Sequence, residues 1–178
     1  EAATRGLSNI KQTPRALDAY VSKQSLELFS NLGIFKHHEL HARHEIRVEQ
    51  YIKKIDIEAQ LQIEMLTSYV IPASISYQSV VLGNINAMKA AGLEQNAYDA
   101  QLHIVRSISD ELGKAHANVA KLSDLLKEAE AVSVLRDQAI FYGDNVVPLM
   151  AEIRLSADAL ENLVADDHWP LPKYREML

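Results

Sequence analysis

Residues 98–130 read YDAQLHIVRSISDELGKAHANVAKLSDLLKEAE, and apolar side chains recur in this stretch every seven positions. Tyr98, Val105, Leu112, Val119 and Leu126 occupy one heptad position, while Ile108, Ala115, Leu122 and Ala129 occupy the other. Two such rows make a narrow seam along one side of an α-helix, the pattern of antiparallel helix packing. A half-buried strand would alternate with period two, and no stretch does so for long enough to predict one. The expected fold is all-α.

The same reading extends in both directions. After Val132, Ser133 is expected to cap a last long helix whose apolar positions are Leu135, Tyr142 and Leu149 with Ala139, Val146, Ile153 and Leu160. Pro148 lies inside that pattern. On the other side, Asn96 with Asp99 three residues on predicts a weak capping pair at the start of the heptad helix. Before it, a helix of roughly 50 residues, or about 80 Å if unbroken, runs from beyond Phe35 to Gly92. Its stripe reads Val48, Ile52, Ile55, Ala59, Leu66, Val70, Ala73, Tyr77, Val81, Ile85 and Met88. Pro72 sits within this run, where it removes one backbone hydrogen bond and predicts a kink, not an end. A short first helix begins at Thr13-Pro14, with the hydroxyl as cap and the proline in the first turn. It carries Leu17, Tyr20, Val21, Leu26 and Phe29 and stops at Gly33, a residue that accepts the left-handed conformation. Short connections near Gly92 and Val132 then predict an antiparallel bundle of three long helices, up, down and up, with the first helix beside the start of the second.

The helical pattern stops at Val164 and runs into Asp166-Asp167-His168-Trp169-Pro170-Leu171-Pro172-Lys173-Tyr174. Two prolines one residue apart cannot continue a helix, and each pushes its predecessor toward extended backbone. Trp169 and Tyr174 bracket the resulting Trp-Pro-x-Pro arm, and aromatic side chains this large are expected to anchor it against a surface.

Composition excludes several function classes. A chain of 178 residues with formal net charge −6 and no basic run lacks the electrostatic footprint of a nucleic-acid binder. With no cysteine there is no disulfide frame, thiolate metal site or cysteine nucleophile, which fits a reducing, cytoplasmic setting. Met65 to Met88 carries no formal charge, yet Ser68, Ser74, Ser76, Gln78, Ser79, Asn84 and Asn86 within it suit a buried helix better than lipid, so no membrane span is expected. Glu1 to Asn9 has no apolar core of the kind a signal peptide needs.

Candidate sites are few. His37, His41 and His44 share one helical face at a spacing that zinc or copper ligands use, with His38 beside them. No His-Glu-x-x-His occurs, and no histidine follows a glutamate by three residues, so the plainer reading is a solvated first turn that binds no metal. Glu39 with Arg43, Glu49 with Lys53 and Asp110 with Lys114 are spaced as ion pairs of exposed helix faces. Nucleophile-elbow and phosphate-loop patterns are absent. Gly143, in Tyr142-Gly143-Asp144-Asn145, is expected to mark a close approach of a neighbouring segment. Ile57, Leu61 and Met65 form a second apolar row off the main stripe, which something other than the bundle core should cover. No catalytic, cofactor-binding or metal-ligating residue is assigned.

The order of several short motifs resembles the type III glutamine synthetases. They are Arg5-Gly6-Leu7-Ser8-Asn9, Thr13-Pro14-x-Ala16-Leu17, Leu32-Gly33-Ile34-Phe35, Glu39-Leu40-x-x-Arg43-x-Glu45-Ile46, Glu49-x-Tyr51, Ile55-x-Ile57-Glu58-Ala59 and Ile71-Pro72-Ala73. Val146-x-Pro148-x-Met150, Arg154, Asp158-x-Leu160-Glu161 and the closing Trp169-Pro170-Leu171-Pro172-x-Tyr174 complete the series. The resemblance implies the helical C-terminal domain of a larger chain, residues 13–178, with residues 1–12 as the end of a preceding catalytic region. It further implies a parent that joins ammonia to glutamate using ATP and a divalent metal, whose ligands lie in strands this sequence lacks, so that the fragment alone is inactive. Partners implied in the same way are the catalytic barrel of the same chain and neighbouring subunits of a homo-oligomer built from stacked hexameric rings. Two positions depart from the family pattern: Lys36 replaces a capping hydroxyl, and Gly143 stands where arginine is common. A first residue other than methionine, reading as mid-domain, fits a fragment. The alternatives left open are a free-standing helical signalling or scaffold module and, less well supported, a metal-handling helical protein.

Overall fold

The computed structural model describes residues 1, 3–6, 8–173 and 176. Among the described residues there is no strand, and the all-α expectation holds. The α-helices are α1 (Thr13–Leu17), α2 (Lys23–Asn31), α3 (His37–Met65), α4 (Ile71–Ala90), α5 (Asp99–Glu130), α6 (Leu135–Phe141) and α7 (Val147–Leu163). Short 3-10 turns at Asp18–Val21, Gln95–Ala97 and Asp166–His168 link or follow them.

Both internal prolines are absorbed in the same way. Between α3 and α4 the backbone stays helical through one π turn, Leu66–Val70, and between α6 and α7 it does so through another, Tyr142–Val146. In each, the amide of the residue before the proline reaches back five positions, Ile71 to the Leu66 carbonyl and Val147 to the Tyr142 carbonyl. A proline inside an α-helix collides with the carbonyl four residues back and leaves it without a donor. The wider turn gives that carbonyl room, so the helix continues past Pro72 and Pro148.

Helix ends follow local chemistry, with three departures from expectation. Gly33 and Gly92 adopt φ values of +65° and +78° and close α2 and α4. In each the amide two residues past the cap reaches back, Ile34 to Phe29 and Leu93 to Met88, satisfying carbonyls the helix leaves open. Pro14 does lie in the first turn of α1, but the N-cap is Gln12 and makes no side-chain cap bond; its amide group donates to Asp144 instead. Ser133 does not cap α6, which starts at Leu135 with Val134 as an extended N-cap and Asp137 supplying the first-turn negative charge. Asn96 falls inside the 3-10 turn Gln95–Ala97 and so precedes α5 without capping it.

The chain divides into two compact units. The first comprises residues 1–59 and 124–148. Its interior includes Val48, Ile52, Ala59, Leu126, Ala139 and Val146, all buried. Tyr142 lies there too and donates its hydroxyl proton to Asp56 at 3.0 Å. The second comprises residues 60–123 and 149–178. In it, Lys89 lies over the Tyr98 ring, Gln101 contacts the Met88 sulfur, and Gln78 donates to the Val105 carbonyl and the Ser109 hydroxyl. Partners thus run down α4 as they run up α5, which makes this pair antiparallel around Val81, Ile85 and Tyr98.

One row of the heptad seam is completely buried, and the other is buried except at half-buried Val105 and Leu112. Ile108, Ala115, Leu122 and Ala129 are each 0% exposed, and Tyr98, Val119 and Leu126 of the other row are buried. Truncating such a side chain loses transfer energy and leaves a cavity. Leu122→Ala is expected to lower stability by about 2–5 kcal/mol in urea unfolding, against less than about 0.5 kcal/mol for Leu155→Ala at an exposed position of α7.

Candidate functional site

The side-chain chemistry concentrates in two clamps, one in each unit. In the first unit, the segment around α1 is tied to α6 and its π turn by two charge pairs. Arg15 donates through both terminal nitrogens to the two carboxylate oxygens of Asp144, each at 2.8 Å. Arg136 donates to both oxygens of Asp18, at 2.8 and 2.7 Å. Fork-to-fork pairing of this kind fixes direction as well as distance. Next to Arg15 in the chain, Pro14 is fully buried. A Cβ on Gly143 would meet the Tyr51 hydroxyl at 3.4 Å and the Pro14 ring at 3.8 Å, so the expectation of a close approach at this glycine is met.

Hydrogen bonds from Arg136 hold the Asp18 carboxyl below the ordinary carboxylate range, and those from Arg15 and Gln12 do the same for Asp144. Burial raises the phenols of Tyr51 and Tyr142, with Asp144 and Asp56 respectively adding to the effect. None of these shifts creates a base or nucleophile poised near neutrality. The arrangement is a fastening.

In the second unit, the arm after α7 is pinned by a residue that no sequence pattern singled out. Lys173 is buried, and its ammonium donates to the carbonyls of Glu161 (2.7 Å) and Val164 (2.8 Å) and pairs with Asp166 at 2.9 Å. These carbonyls belong to the last turn of α7 and to the residue just after it, where the helix dipole favours a cation. Trp169 is buried and extended and lies 6.0 Å from the same ammonium. Before the arm, Asp166–His168 forms a 3-10 turn, and the His168 ring meets Tyr77 of α4 in a tilted contact with centroids 5.6 Å apart. Trp169 therefore anchors the arm as expected, while Tyr174, the second expected anchor, lies outside the described residues.

The histidines do not gather. His37, His38 and His41 are exposed, whereas His44 is buried with its Nε2 3.6 Å from Asp18, which corrects the reading of all four as a solvated turn. Among the described residues no group of three or more histidine or acidic side chains is placed to hold a metal. Glu39 and Arg43 do not pair with each other. The Glu39 carboxylate accepts from the Lys36 amide at 2.7 Å, keeping the reciprocal half of a capping box, and Arg43 lies over the Phe35 ring at 4.4 Å. Lys114 pairs with Glu111 at 2.7 Å instead of Asp110, and the Glu49–Lys53 pair forms as expected. A groove of about 530 Å³ in the second unit is lined by Glu111, Lys114, Asn118, Glu152, Leu155 and Ser156, with its one lysine already engaged. Ile57 and Leu61 of the off-stripe row are exposed and Met65 is half-buried. No helix of the described residues is long and apolar enough to cross a membrane.

Among the described residues the fold is that of an all-α domain whose α1 segment and C-terminal arm are each fastened by charged side chains. The family model described as glutamine synthetase C-terminal domain matches residues 1–89, and the chain belongs to that family. It is 32% identical over 182 residues to a glutamine synthetase of Bacteroides fragilis, 32% over 180 residues to a type-3 glutamine synthetase of Dictyostelium discoideum, and 33% over 181 residues to a glutamine synthetase of Butyrivibrio fibrisolvens. These alignments cover 99–100% of this chain but only 24–25% of each relative, so the chain spans about a quarter of their length.

Two measurements test the clamps. Asp18 and Asp144 have depressed folded-state values, so their contribution is present above the unfolded value near 4 and is lost as pH falls through the folded one. The thermal midpoint should therefore drop below about pH 4, and the deficit of an Asp18→Asn, Asp144→Asn double variant at neutral pH should shrink over the same window. Lys173→Met should cost about 1.5–3 kcal/mol in urea unfolding and shift the emission of Trp169, the single tryptophan, to longer wavelength. Unchanged stability and emission would show that the ammonium does not hold the arm.

Proposed function

We propose that this chain is the non-catalytic helical C-terminal domain of a type III glutamine synthetase and serves its architecture, not its chemistry. The observation that carries the reading is the alignment with three glutamine synthetases along the whole of this chain and only a quarter of each of them. In this reading residues 1–12 end the catalytic region and residues 13–178 form the domain. Gln12 as extended N-cap, followed at once by the Arg15 and Asp18 pairs, supports a boundary there.

The parent reaction is the ATP-dependent ligation of ammonia to the γ-carboxylate of glutamate, with a divalent metal. The described residues do not fit either group: no cluster of carboxylates and histidines suits the metal, and the sequence offers no glycine-rich loop with its lysine for the phosphates. The residues that bind them belong to the preceding region, and this domain contacts that region and neighbouring subunits of a cytoplasmic homo-oligomer. Exposed Ile57 and Leu61 support a role in such contacts.

The test is removal of residues 13–178 from the complete enzyme, followed by sizing, thermal unfolding and kinetics. The expected outcome is altered ring assembly or a lowered thermal midpoint, with the KM for glutamate of the remaining assembled enzyme changed little. Rings and midpoint identical to those of the complete enzyme overturn the proposal.

A further inference from the structure

Among the α-helices, α2 has little packing to hold it together. It has nine residues, and none of them is buried. Isolated helices this short are marginal in water, and a packed face normally supplies what propensity does not. Here one side does pack lightly: Leu26 and Phe29 are half-buried, and Phe29 meets Phe35 at 5.7 Å. Leu28, Leu32 and Ile34, at or just beyond its end, stay 55%, 62% and 54% exposed. Three large aliphatic side chains within seven positions are an apolar face that a neighbour should cover.

We infer that the outer face of α2, Leu28 and Leu32 with Ile34, docks against the catalytic region that precedes residue 1 of the same polypeptide, an inference that rests on the function proposed above. The tether decides the occupant. The segment that would carry that region is anchored by Gln12, Arg15 and Asp18, and α2 starts five residues after Asp18. In the reading proposed above residues 1–12 are the end of that region, so it is joined to the domain at this anchor, and even fully extended they reach only about 40 Å from it. A folded region so attached is held near α2 at an effective concentration of order millimolar, far above that of a separate chain free in solution. Ile10, in the segment before the anchor, is also exposed. A second copy facing its own kind would in addition bring the exposed Lys36 side chains together at the rim.

The experiment places a photoreactive benzophenone residue at position 32 of the complete enzyme, where the side chain is exposed and the fold should be unaffected. Irradiation followed by digestion and mass spectrometry is expected to give a cross-link within one chain, from position 32 to a peptide upstream of residue 1. Substituting Leu28→Asp in the same protein should reduce its yield at least tenfold. A cross-link between chains, or none beyond the helical domain, overturns the inference. The two readings fail separately: a natural chain with no catalytic region before residue 1 removes the proposed function, whereas such a region present and unlinked removes only this docking.

Discussion

Two prolines lie inside helices whose apolar stripes have to keep their register, and that constraint governs the rest of the chain. An α-helix interrupted at Pro72 or Pro148 would end with open carbonyls and turn the following residues away from the core. The π turns at Leu66–Val70 and Tyr142–Val146 avoid both outcomes. Each turn begins and ends on a buried residue, Leu66 and Val70 in one, Tyr142 and Val146 in the other. Beyond the first turn the fully buried position is Ser74 and not Ala73, which is half-buried. Its hydroxyl donates to the Val70 carbonyl at 2.8 Å, so a polar residue sits in the interior with its hydrogen bond made.

What was legible in the sequence was whatever repeats. The heptads of α5 locate the seam because two residues in seven must be apolar wherever helices meet, and in one of the two rows Ile108, Ala115, Leu122 and Ala129 meet that demand at zero exposure. Glycine stops were legible for a similar reason, since a positive φ is a local property of one residue type. Caps were less so. Thr13, Ser133 and Asn96 carry the right chemistry at nearly the right place, but which residue caps depends on where the chain enters the helix, and long-range bonds decide that. Gln12 is the N-cap of α1, and its side chain is spent on Asp144, 132 residues away.

The clamps were invisible for the same physical reason. Arg15 with Asp144, and Asp18 with Arg136, are more than a hundred residues apart, and no local spacing announces a pair that only the fold assembles. Lys173 came closest to being readable, because a cation near a helix C-terminus is favoured. The two prolines of the arm conceal it, by separating the lysine from the carbonyls it reaches and making it look like part of a linker. Its burial is tolerable only because three oxygens surround the ammonium; a charge taken out of water without such partners costs more than the packing returns.

Both fastenings act at the ends of the domain and leave the apolar surface of α2 untouched. A domain evolved to stand alone would be expected to bury Leu28 and Leu32 or replace them with polar residues, since exposed aliphatic side chains on a short helix contribute nothing to its stability and invite association. They stand beside the segment that two bidentate ion pairs hold in place, where rigid anchorage makes docking by an attached neighbour inexpensive in entropy. Anchored ends and an uncovered face are thus two halves of one arrangement. In the docking proposed above, the pairs set where the adjoining region can be, and the aliphatic surface gives it something to bury.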